Sequence, residues 1–182
     1  MQCAWAYDAS QEMQAYHAKE WGKPQYDEQK LFEILALEIF QAGLSWQTIL
    51  HKRTALRQAF CNFEIEKVAQ LTPTDVAYML TNPQIIRNRR KIQAVITNAK
   101  LLVKLHAKKH SLSDLIWSYV AYRPIVNQWQ HPDEIPSQTP LAKQIAHDLK
   151  KLGFTFIGPT IVYSFLQASG VVNDHLMGCP YK

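Results

Sequence analysis

The chain is poor in cysteine, and its three cysteines do not suggest a disulfide framework. Cys3, Cys61 and Cys179 are an odd number among 182 residues, whereas the frameworks of small secreted domains use even sets. Cys61 lies beside Phe60 and Phe63, which is typical of a small buried hydrophobic residue. Cys3 and Cys179 lie at opposite ends of the chain and need a different explanation.

Long apolar segments and a secretory leader are also missing. No apolar run reaches the roughly 18 residues that a membrane-spanning helix needs. The opening segment, MQCAWAYDAS, lacks the basic start and apolar core of a signal peptide. With 47% hydrophobic and 19% charged residues, the composition predicts a globular, cytoplasmic protein with no membrane contact.

The basic charge is concentrated in the middle of the chain. The formal net charge is +5, and residues 87–91 read Arg-Asn-Arg-Arg-Lys. This charge permits binding to nucleic acid but does not establish it. A short connection at residues 81–84 precedes the basic segment and joins two predicted helices. Two interpretations are open: a helix-hairpin-helix whose backbone N–H groups hold a DNA phosphate, or a solvated basic face.

Hydrophobic periodicity predicts a mainly helical fold, because alternating, strand-like runs are short and few. Asp27 and Ser45 are placed to cap helices at their N-termini, and Gly43 is placed to end one. Residues 121–140 contain four prolines and are predicted to form an ordered loop. The predicted helices cover residues 9–19, 28–42, 46–60, 73–80, 87–107, 111–120, 138–151 and 158–169, with a last short helix at 172–178.

Cysteine and histidine occur together near both ends of the chain. His175 and Cys179 are four residues apart, a spacing that places both on one face of a helix. Cys3 and His17 complete a set of ligands suited to a closed tetrahedral zinc site. The alternative is that the thiols are free and the histidines ordinary, because spacing alone does not show that the chain ends meet.

One carboxylate, Glu38, stands in the apolar stretch LEIFQAGLSW at residues 37–46. A buried carboxylate must be paired, hydrogen-bonded or protonated. Tryptophan and tyrosine crowd residues 5–46, and aromatic rings beside a lone Glu would make a stacking pocket for a flat, cationic ring. The simpler alternatives are a structural ion pair or a surface position at the helix end.

Together these features resemble the 3-methyladenine DNA glycosylase I family, in family order over nearly the whole chain. The segments Gln-Ala-Gly-Leu-Ser-Trp at 41–46 and Val-Asn-Asp-His at 172–175 are distinctive of that family. The other matching segments are Cys-Ala-Trp at 3–5, Ala-Tyr-His at 15–17, Glu-Trp-Gly at 20–22, Leu-Phe-Glu at 31–33, Ile-Ile-Arg-Asn-Arg at 85–89, Lys-Ile at 91–92 and Tyr-Ser-Phe at 163–165.

The resemblance implies an all-α helix-hairpin-helix DNA glycosylase fold, with residues 1–182 as a single domain. Residues 45–120 would form one lobe containing the hairpin, and the chain termini the other. It further implies one zinc ion that joins the N- and C-terminal segments. Because four protein ligands leave no position for water, this zinc would be structural. The implied ligands are Cys3, His17, His175 and Cys179.

The resemblance also implies a reaction, the excision of 3-methyladenine from double-stranded DNA by base flipping and hydrolysis. The enzyme would leave an abasic site in base excision repair, acting as a monomer without lyase activity. Glu38 would accept hydrogen bonds from the adenine edge and supply negative charge. Tyr16 and Trp46 would contact the base, Trp46 by stacking. The further pocket candidates are Trp21, Tyr163 and Ser164.

Contact with DNA is implied for two segments. Gly43 and Leu44 would enter the duplex, with Leu44 as an apolar wedge in the space that the flipped nucleotide leaves. Arg87 and Arg89 would attract the phosphate backbone. One departure concerns the hairpin: Gln84 stands where the family tends to carry glycine, which matters if that position needs a positive φ.

The catalytic Asp that superfamily relatives usually carry after the hairpin has no counterpart here. Asp114 is interpreted as a residue that starts a helix. The family that this chain resembles also lacks that Asp. The alternative function, from a different class, is a non-catalytic, zinc-containing DNA-binding protein that recognises alkylated bases.

Overall fold

The structure, a computed structural model, describes residues 3–7 and 9–182. Within these ranges helices dominate, and two short strands form one parallel pair. No helix in them has the length and apolarity needed to cross a membrane. The helices are α1 Ala4–Tyr7, α2 Gln11–Lys19, α3 Glu28–Gln41, α4 Trp46–Ala59, α5 Ile65–Ala69, α6 Pro73–Thr81, α7 Arg89–His106, α8 Leu112–Trp117, α9 Pro140–Leu152 and α10 Pro159–Ala168. The strands are β1 Ile125–Val126 and β2 Val172–Asn173, and 3₁₀ turns occur at Cys61–Phe63, Ser118–Val120 and Pro132–Glu134.

The capping residues predicted for α3 and α4 are confirmed. The Asp27 carboxylate accepts a hydrogen bond from the Lys30 N–H at 2.9 Å. Ser45 Oγ accepts one from the Thr48 N–H at 3.2 Å. Gly43, between the two helices, has a φ of +79°, a conformation that glycine adopts without strain. The chain reversal beside the site therefore has a clear local cause.

Helix α3 runs through the core. From Leu31 to Phe40 every residue except Ile34 is buried. Its apolar side chains belong to one large cluster with those of α4, α7, α9 and α10. A helix that is apolar nearly all round is typical of the interior of a helical protein. Two carboxylates of α3, Glu33 and Glu38, are buried along with it.

A second, smaller cluster of buried side chains lies where the two ends of the chain meet. Cys3, Tyr16 and Trp21 come from the N-terminal segment, and Leu176 and Cys179 come from the C-terminal one. The two ends are thus packed together by apolar and sulfur-containing side chains. The division of the chain into two lobes stays a prediction.

The helix predicted at residues 172–178 is wrong, although the helix-dominated fold as a whole is as predicted. Strand β2 forms at this place and pairs in parallel with β1. The Asn173 side-chain oxygen then accepts a hydrogen bond from the His175 N–H at 3.1 Å, and such a local turn competes with the start of a helix. His175 and Cys179 are therefore brought together by a loop and not by one face of a helix.

Two short helices, α1 and α5, have no counterpart among the predicted helices. They contain four and five residues, which is too short for a helical period to be recognised. The other boundaries differ from prediction by a few residues. Helix α7, for example, begins at Arg89, because the Asn88 side chain caps it by accepting a hydrogen bond from the Lys91 N–H.

Helices α6 and α7 are joined by residues 82–88. Gln84 is not among the described residues with a positive φ, so its backbone conformation does not require glycine. The Asn82 side-chain oxygen accepts a hydrogen bond from the Gln84 N–H at 2.9 Å. Lys52 Nζ donates to the carbonyl oxygens of Pro83 and Gln84, both at 3.1 Å. These bonds tie the connection to α4.

A buried lysine ties α7 to the end of α3. Lys91 is 5% exposed, and its Nζ donates to the carbonyl oxygens of Phe40 at 2.9 Å and Ala42 at 2.5 Å. Carbonyl groups at a helix C-terminus carry partial negative charge and favour a cation there. The lysine thus holds the backbone just before Gly43 and Leu44.

Candidate active site and metal centre

A cavity of about 330 Å³ lies between α2, α3, α4 and α10, a size within the range of small-molecule sites. Its described walls are rich in aromatic and apolar groups. Among them Glu38 is the one carboxylate, and they contain no lysine. The lining residues are Trp5, Tyr16, Trp21, Glu38, Gln41, Trp46, Pro132, Ile135, Ser164 and Gln167.

Glu38 is buried, and within residues 3–7 and 9–182 its Oε2 atom has no hydrogen-bond partner. Only 4% of the residue is exposed. Burial raises the pKa of the Glu38 carboxyl from its ordinary value of 4.5 to about 8, because water no longer stabilises the charge. At neutral pH the ligand-free protein therefore holds this carboxyl mainly in its protonated form. A buried carboxyl without a partner disfavours folding and is typical of a functional group.

Tyr16 and Trp46 form the aromatic wall next to Glu38. Their ring centroids are 5.1 Å apart at an interplanar angle of 48°. The buried Nε1–H of Trp46 also lacks a hydrogen-bond partner in the described part of the chain. Burial, and secondarily the Glu38 carboxylate, raises the pKa of Tyr16 and keeps its hydroxyl protonated. Aromatic faces, a free N–H donor and a free carboxyl thus meet in one cavity, which suits a flat heterocycle with polar edges.

The cavity brings together most of the pocket residues that the resemblance implies. Trp21 and Ser164 line it with Glu38 and its aromatic neighbours. Tyr163 does not: it is 2% exposed, and its hydroxyl donates to the Asp174 carboxylate behind the wall. Its position on α10 turns it into the core, so Tyr163 supports the cavity from behind and does not face it.

Five lining residues have no role in the predicted pocket. Pro132 and Ile135 come from the loop at 121–140, which has no periodic pattern that would place it over a site. Gln167 follows Ser164 by three residues on α10, and this helical spacing was the available signal. The other two are Trp5 and Gln41, both within or beside segments that match the family.

Asp174 lies behind the cavity wall and is fully buried. Besides the Tyr163 hydroxyl, its carboxylate accepts hydrogen bonds from Asn127 Nδ2, Trp129 Nε1 and Gln167 Nε2, each at 2.7 Å. Four donors satisfy this carboxylate, so its burial has the hydrogen-bond compensation that the carboxyl in the cavity lacks.

The predicted DNA-contacting residues lie at the surface. Leu44 is 41% exposed, and its N–H donates to the Gln41 carbonyl at 2.7 Å. Apart from Gly43 itself and its two chain neighbours, no heavy atom of the described residues lies within 4 Å of where a Cβ would stand on Gly43. Because Gln41 also lines the cavity, this exposed turn is beside the cavity mouth. Arg87, in the connection before α7, and Arg89, the first residue of α7, are exposed.

Cys3, His17, His175 and Cys179 form a buried cluster, with one possible ligand atom from each within 4.8 Å of the others. The Sγ atom of Cys179 lies 3.4 Å from His175 Nδ1 and 3.7 Å from His17 Nε2, and Cys3 Sγ lies 3.6 Å from His175 Nδ1. Around tetrahedral zinc, with Zn–S near 2.3 Å and Zn–N near 2.05 Å, neighbouring sulfur and nitrogen atoms are about 3.6 Å apart. The observed separations match that spacing.

A hydrogen bond selects the ligand atom of His175. Its Nε2 lies 3.0 Å from the Trp21 carbonyl oxygen, which can only accept, so Nε2 carries the proton and Nδ1 presents its lone pair to the sulfurs. Burial lowers the pKa of His175 to about 4, so its ring is neutral. Burial also raises the pKa of the Cys3 thiol to about 11, so a metal ion would displace its proton on binding.

The fold is mainly helical, and the aromatic lining of its cavity suits a flat heterocycle. A model of the methyladenine glycosylase family matches residues 5–182, and the chain belongs to this family. It is 44% identical over 180 residues to a DNA-3-methyladenine glycosylase of Haemophilus influenzae, covering 99% of this chain and 97% of the relative. It is 46% identical over 165 residues to DNA-3-methyladenine glycosylase 1 of Escherichia coli, covering 91% and 88%. A solved structure of the Y16F variant of a 3-methyladenine DNA glycosylase I in complex with 3-methyladenine superposes with a TM-score of 0.95 at 40% identity, covering 100% of this chain and 97% of that chain.

The raised pKa of Glu38 generates a prediction about stability. The ordinary pKa of 4.5 applies to the unfolded chain, and the folded value is about 8. Below pH 4.5 the group is protonated in both states and contributes no pH-dependent penalty. As pH rises from 4.5 to 8 the unfolded chain gains from ionising Glu38, so the folded state loses stability, and the loss is complete above pH 8. Glu38→Gln should therefore be more stable than the native chain, by roughly 5 kcal/mol at pH 9 and little at pH 4.

Urea unfolding of both proteins between pH 4 and pH 9 measures this difference. The matched control is Glu33→Gln, on the same helix and also buried. Arg53 Nε and Arg57 Nε donate to Glu33 at 2.7 and 2.8 Å, so its removal should destabilise the protein at neutral pH. A Glu38→Gln variant that is no more stable than the native chain at pH 9 would contradict the conclusion that the Glu38 carboxyl is buried without a hydrogen-bond partner.

Proposed function

We propose that the protein excises 3-methyladenine from double-stranded DNA by hydrolysis, as part of base excision repair. The unpartnered Glu38 carboxyl in an aromatic cavity carries this proposal. Family membership supports it, as does the structural similarity to a relative in complex with 3-methyladenine. The lesion would be flipped out of the duplex, because an enzyme cannot reach the target bond of a base that stays within the base stack.

The chemistry of the substrate explains why little acid catalysis is needed. Methylation at N3 makes the adenine ring of the deoxynucleoside cationic, so the glycosidic bond is already weak. As that bond breaks, its electron pair passes to the ring, and the base leaves neutral. A water oxygen then bonds to C1′ of the sugar and releases a proton to solvent. Glu38, ionised by the arrival of a cation, would stabilise the positive charge that moves onto the sugar in the transition state.

We further propose that the enzyme is monofunctional. A lyase reaction needs an amine nucleophile that forms a Schiff base with the sugar. The described residues that line the cavity contain no lysine. The abasic site would therefore be left with its strand intact.

The turn beside the cavity is suited to open the duplex. The partly exposed Leu44 side chain would fill the space that the flipped nucleotide leaves, and Gly43 allows the backbone to approach the bases closely. Lys91 would hold this turn in place through the end of α3. The exposed Arg87 and Arg89 would add attraction to phosphates. The α6–α7 connection would act as the hairpin that contacts the DNA backbone.

We also propose that Cys3, His17, His175 and Cys179 bind one zinc ion. The sulfur–nitrogen separations, the burial of all four side chains and the Trp21 carbonyl behind His175 support this. Four protein ligands would leave no coordination position for water, so the ion would hold the chain ends together and take no part in catalysis.

Release of 3-methyladenine from methylated duplex DNA tests the enzymatic proposal. We expect the free base in solution, identified by mass, and strands that break only after alkali. Glu38→Gln should lower the rate of release by about 10²- to 10³-fold, a range measured for loss of an electrostatic catalytic group. Glu12→Gln, on the exposed face of α2, is the control and should act like the native chain.

Results other than these would favour a different function or a different role for Glu38. Tight binding of the lesion by the native protein without base release would favour the non-catalytic DNA-binding alternative. No DNA binding even at low salt would favour a purely structural helical protein. Full activity of Glu38→Gln would remove the proposed role of Glu38 alone.

Metal analysis of protein purified without chelator tests the zinc site, and we expect one zinc per chain. Cys179→Ser should lose the ion and its stabilisation, about 4 kcal/mol if free zinc stands at a thousand times its Kd. Cys61→Ser is the matched control, because Cys61 lies outside the cluster. Native protein without zinc, or a Cys179→Ser variant with unchanged zinc content and unfolding midpoint, would rule the site out.

A further inference from the structure

Gln167 is a lining residue of the cavity to which the sequence assigns no role. It lies on α10, three residues beyond Ser164, and both side chains line the cavity. Its Nε2 donates to Asp174 Oδ2 at 2.7 Å. One end of this side-chain amide is therefore anchored behind the wall, while the residue itself borders the cavity.

The other donors around Asp174 determine which way the amide is turned. Trp129 Nε1 can only donate, and it lies 2.7 Å from Asp174 Oδ1. Asn127 Nδ2 lies 2.7 Å from the same oxygen, and the Tyr163 hydroxyl bonds to the other oxygen. Asp174 is thus surrounded by donors, as an ionised carboxylate requires. If the Gln167 amide were turned round, its oxygen would face an Asp174 oxygen, and both atoms are hydrogen-bond acceptors. The NH₂ group of Gln167 must therefore face Asp174.

With its nitrogen bonded to Asp174, the side-chain amide of Gln167 has its oxygen directed away from Asp174. Among the described residues it has no hydrogen-bond partner, and it is not among the fully buried unpartnered atoms. It is therefore accessible, and the accessible space beside this side chain is the cavity. An acceptor whose orientation is fixed by a buried carboxylate is preorganised, since the bound base need not turn it.

We infer that the Gln167 side-chain oxygen is a second hydrogen-bond acceptor for the exocyclic amine of the bound base, with Asp174 as the residue that orients it. The inference rests on the proposed function. The amine of 3-methyladenine has two N–H groups, and the Glu38 carboxylate would accept one of them. Gln167 accepts the other.

This arrangement makes Gln167 a specificity-determining residue. A base that carries a carbonyl oxygen in place of the amine would set an acceptor against Gln167. Because Asp174 holds the NH₂ group, the amide cannot turn to offer a donor without leaving a buried carboxylate oxygen short of a partner. Sites built to hydrogen-bond one polar group reject analogues that lack it more strongly than apolar pockets do.

Binding of two free bases tests this role. 3-Methyladenine and 3-methylhypoxanthine differ at the amine, which is a carbonyl in the second base. Their affinities would be measured by quenching of tryptophan fluorescence with the full chain. We expect Gln167→Met, of similar size and without a hydrogen-bonding amide, to bind 3-methyladenine about tenfold more weakly, the usual loss for one hydrogen bond. The preference over 3-methylhypoxanthine should fall by at least the same factor.

A merely structural role would weaken both bases alike and leave their ratio unchanged, and that result would overturn the inference. Gln144→Met, at an exposed position of α9, controls for loss of a glutamine and should match the native chain. If Gln167→Met does not fold, Gln167→Asn, which withdraws the oxygen from the cavity, must show the same fall in the ratio. A native protein that binds 3-methyladenine while either variant keeps the native ratio contradicts this inference alone. A native protein that binds neither base and releases none from DNA contradicts the proposed function.

Discussion

The central constraint on this structure is the burial of one carboxyl group, that of Glu38, without a hydrogen-bond partner among the described residues. Glu38 lies on a helix whose other buried residues are almost all apolar, and its Oε2 atom has no hydrogen-bond partner among the residues that the structure describes. The raised pKa of the Glu38 carboxyl reflects the free-energy cost of ionising it away from water. The same dry surroundings strengthen any interaction between the charged form and a cationic guest, because little solvent remains to screen it. A residue that disfavours folding is thereby suited to bind an electron-poor base.

Stabilising contacts occur elsewhere on the same helix and behind the cavity wall. Glu33, five residues earlier on α3, is satisfied by two arginines from α4. Lys91 closes the end of the helix. Asp174 gathers four donors behind the opposite wall. Three carboxylates near one site thus have different environments, and the one left without a partner is the one that faces the cavity. Placing reactive groups on a rigid, well-bonded scaffold fits the general requirement that a site be preorganised.

The sequence predicts what is local. Capping by Asp27 and Ser45, the turn at Gly43 and the long helices all follow from chemistry within a few residues. The fold at residues 172–178 does not, because β2 exists only through its pairing with β1, which is distant in sequence. The four residues of the candidate metal site were visible in the sequence as residue types, yet their meeting depends on packing between the chain ends. Tyr163 and Gln167 illustrate the same limit: both lie on α10, and only the packing of that helix decides which of them borders the cavity.

The most direct measurement of the central claim is the titration of Glu38 itself. Carboxyl-carbon NMR of the protein with ¹³C-labelled glutamate, assigned by comparison with Glu38→Gln, would follow this one group from pH 4 to pH 10. In the ligand-free protein we expect a midpoint near 8. A midpoint near the ordinary value of 4.5 would mean that the carboxyl is solvated or paired in solution. That result would contradict the description of Glu38 as a buried carboxyl that has no hydrogen-bond partner in the ligand-free protein.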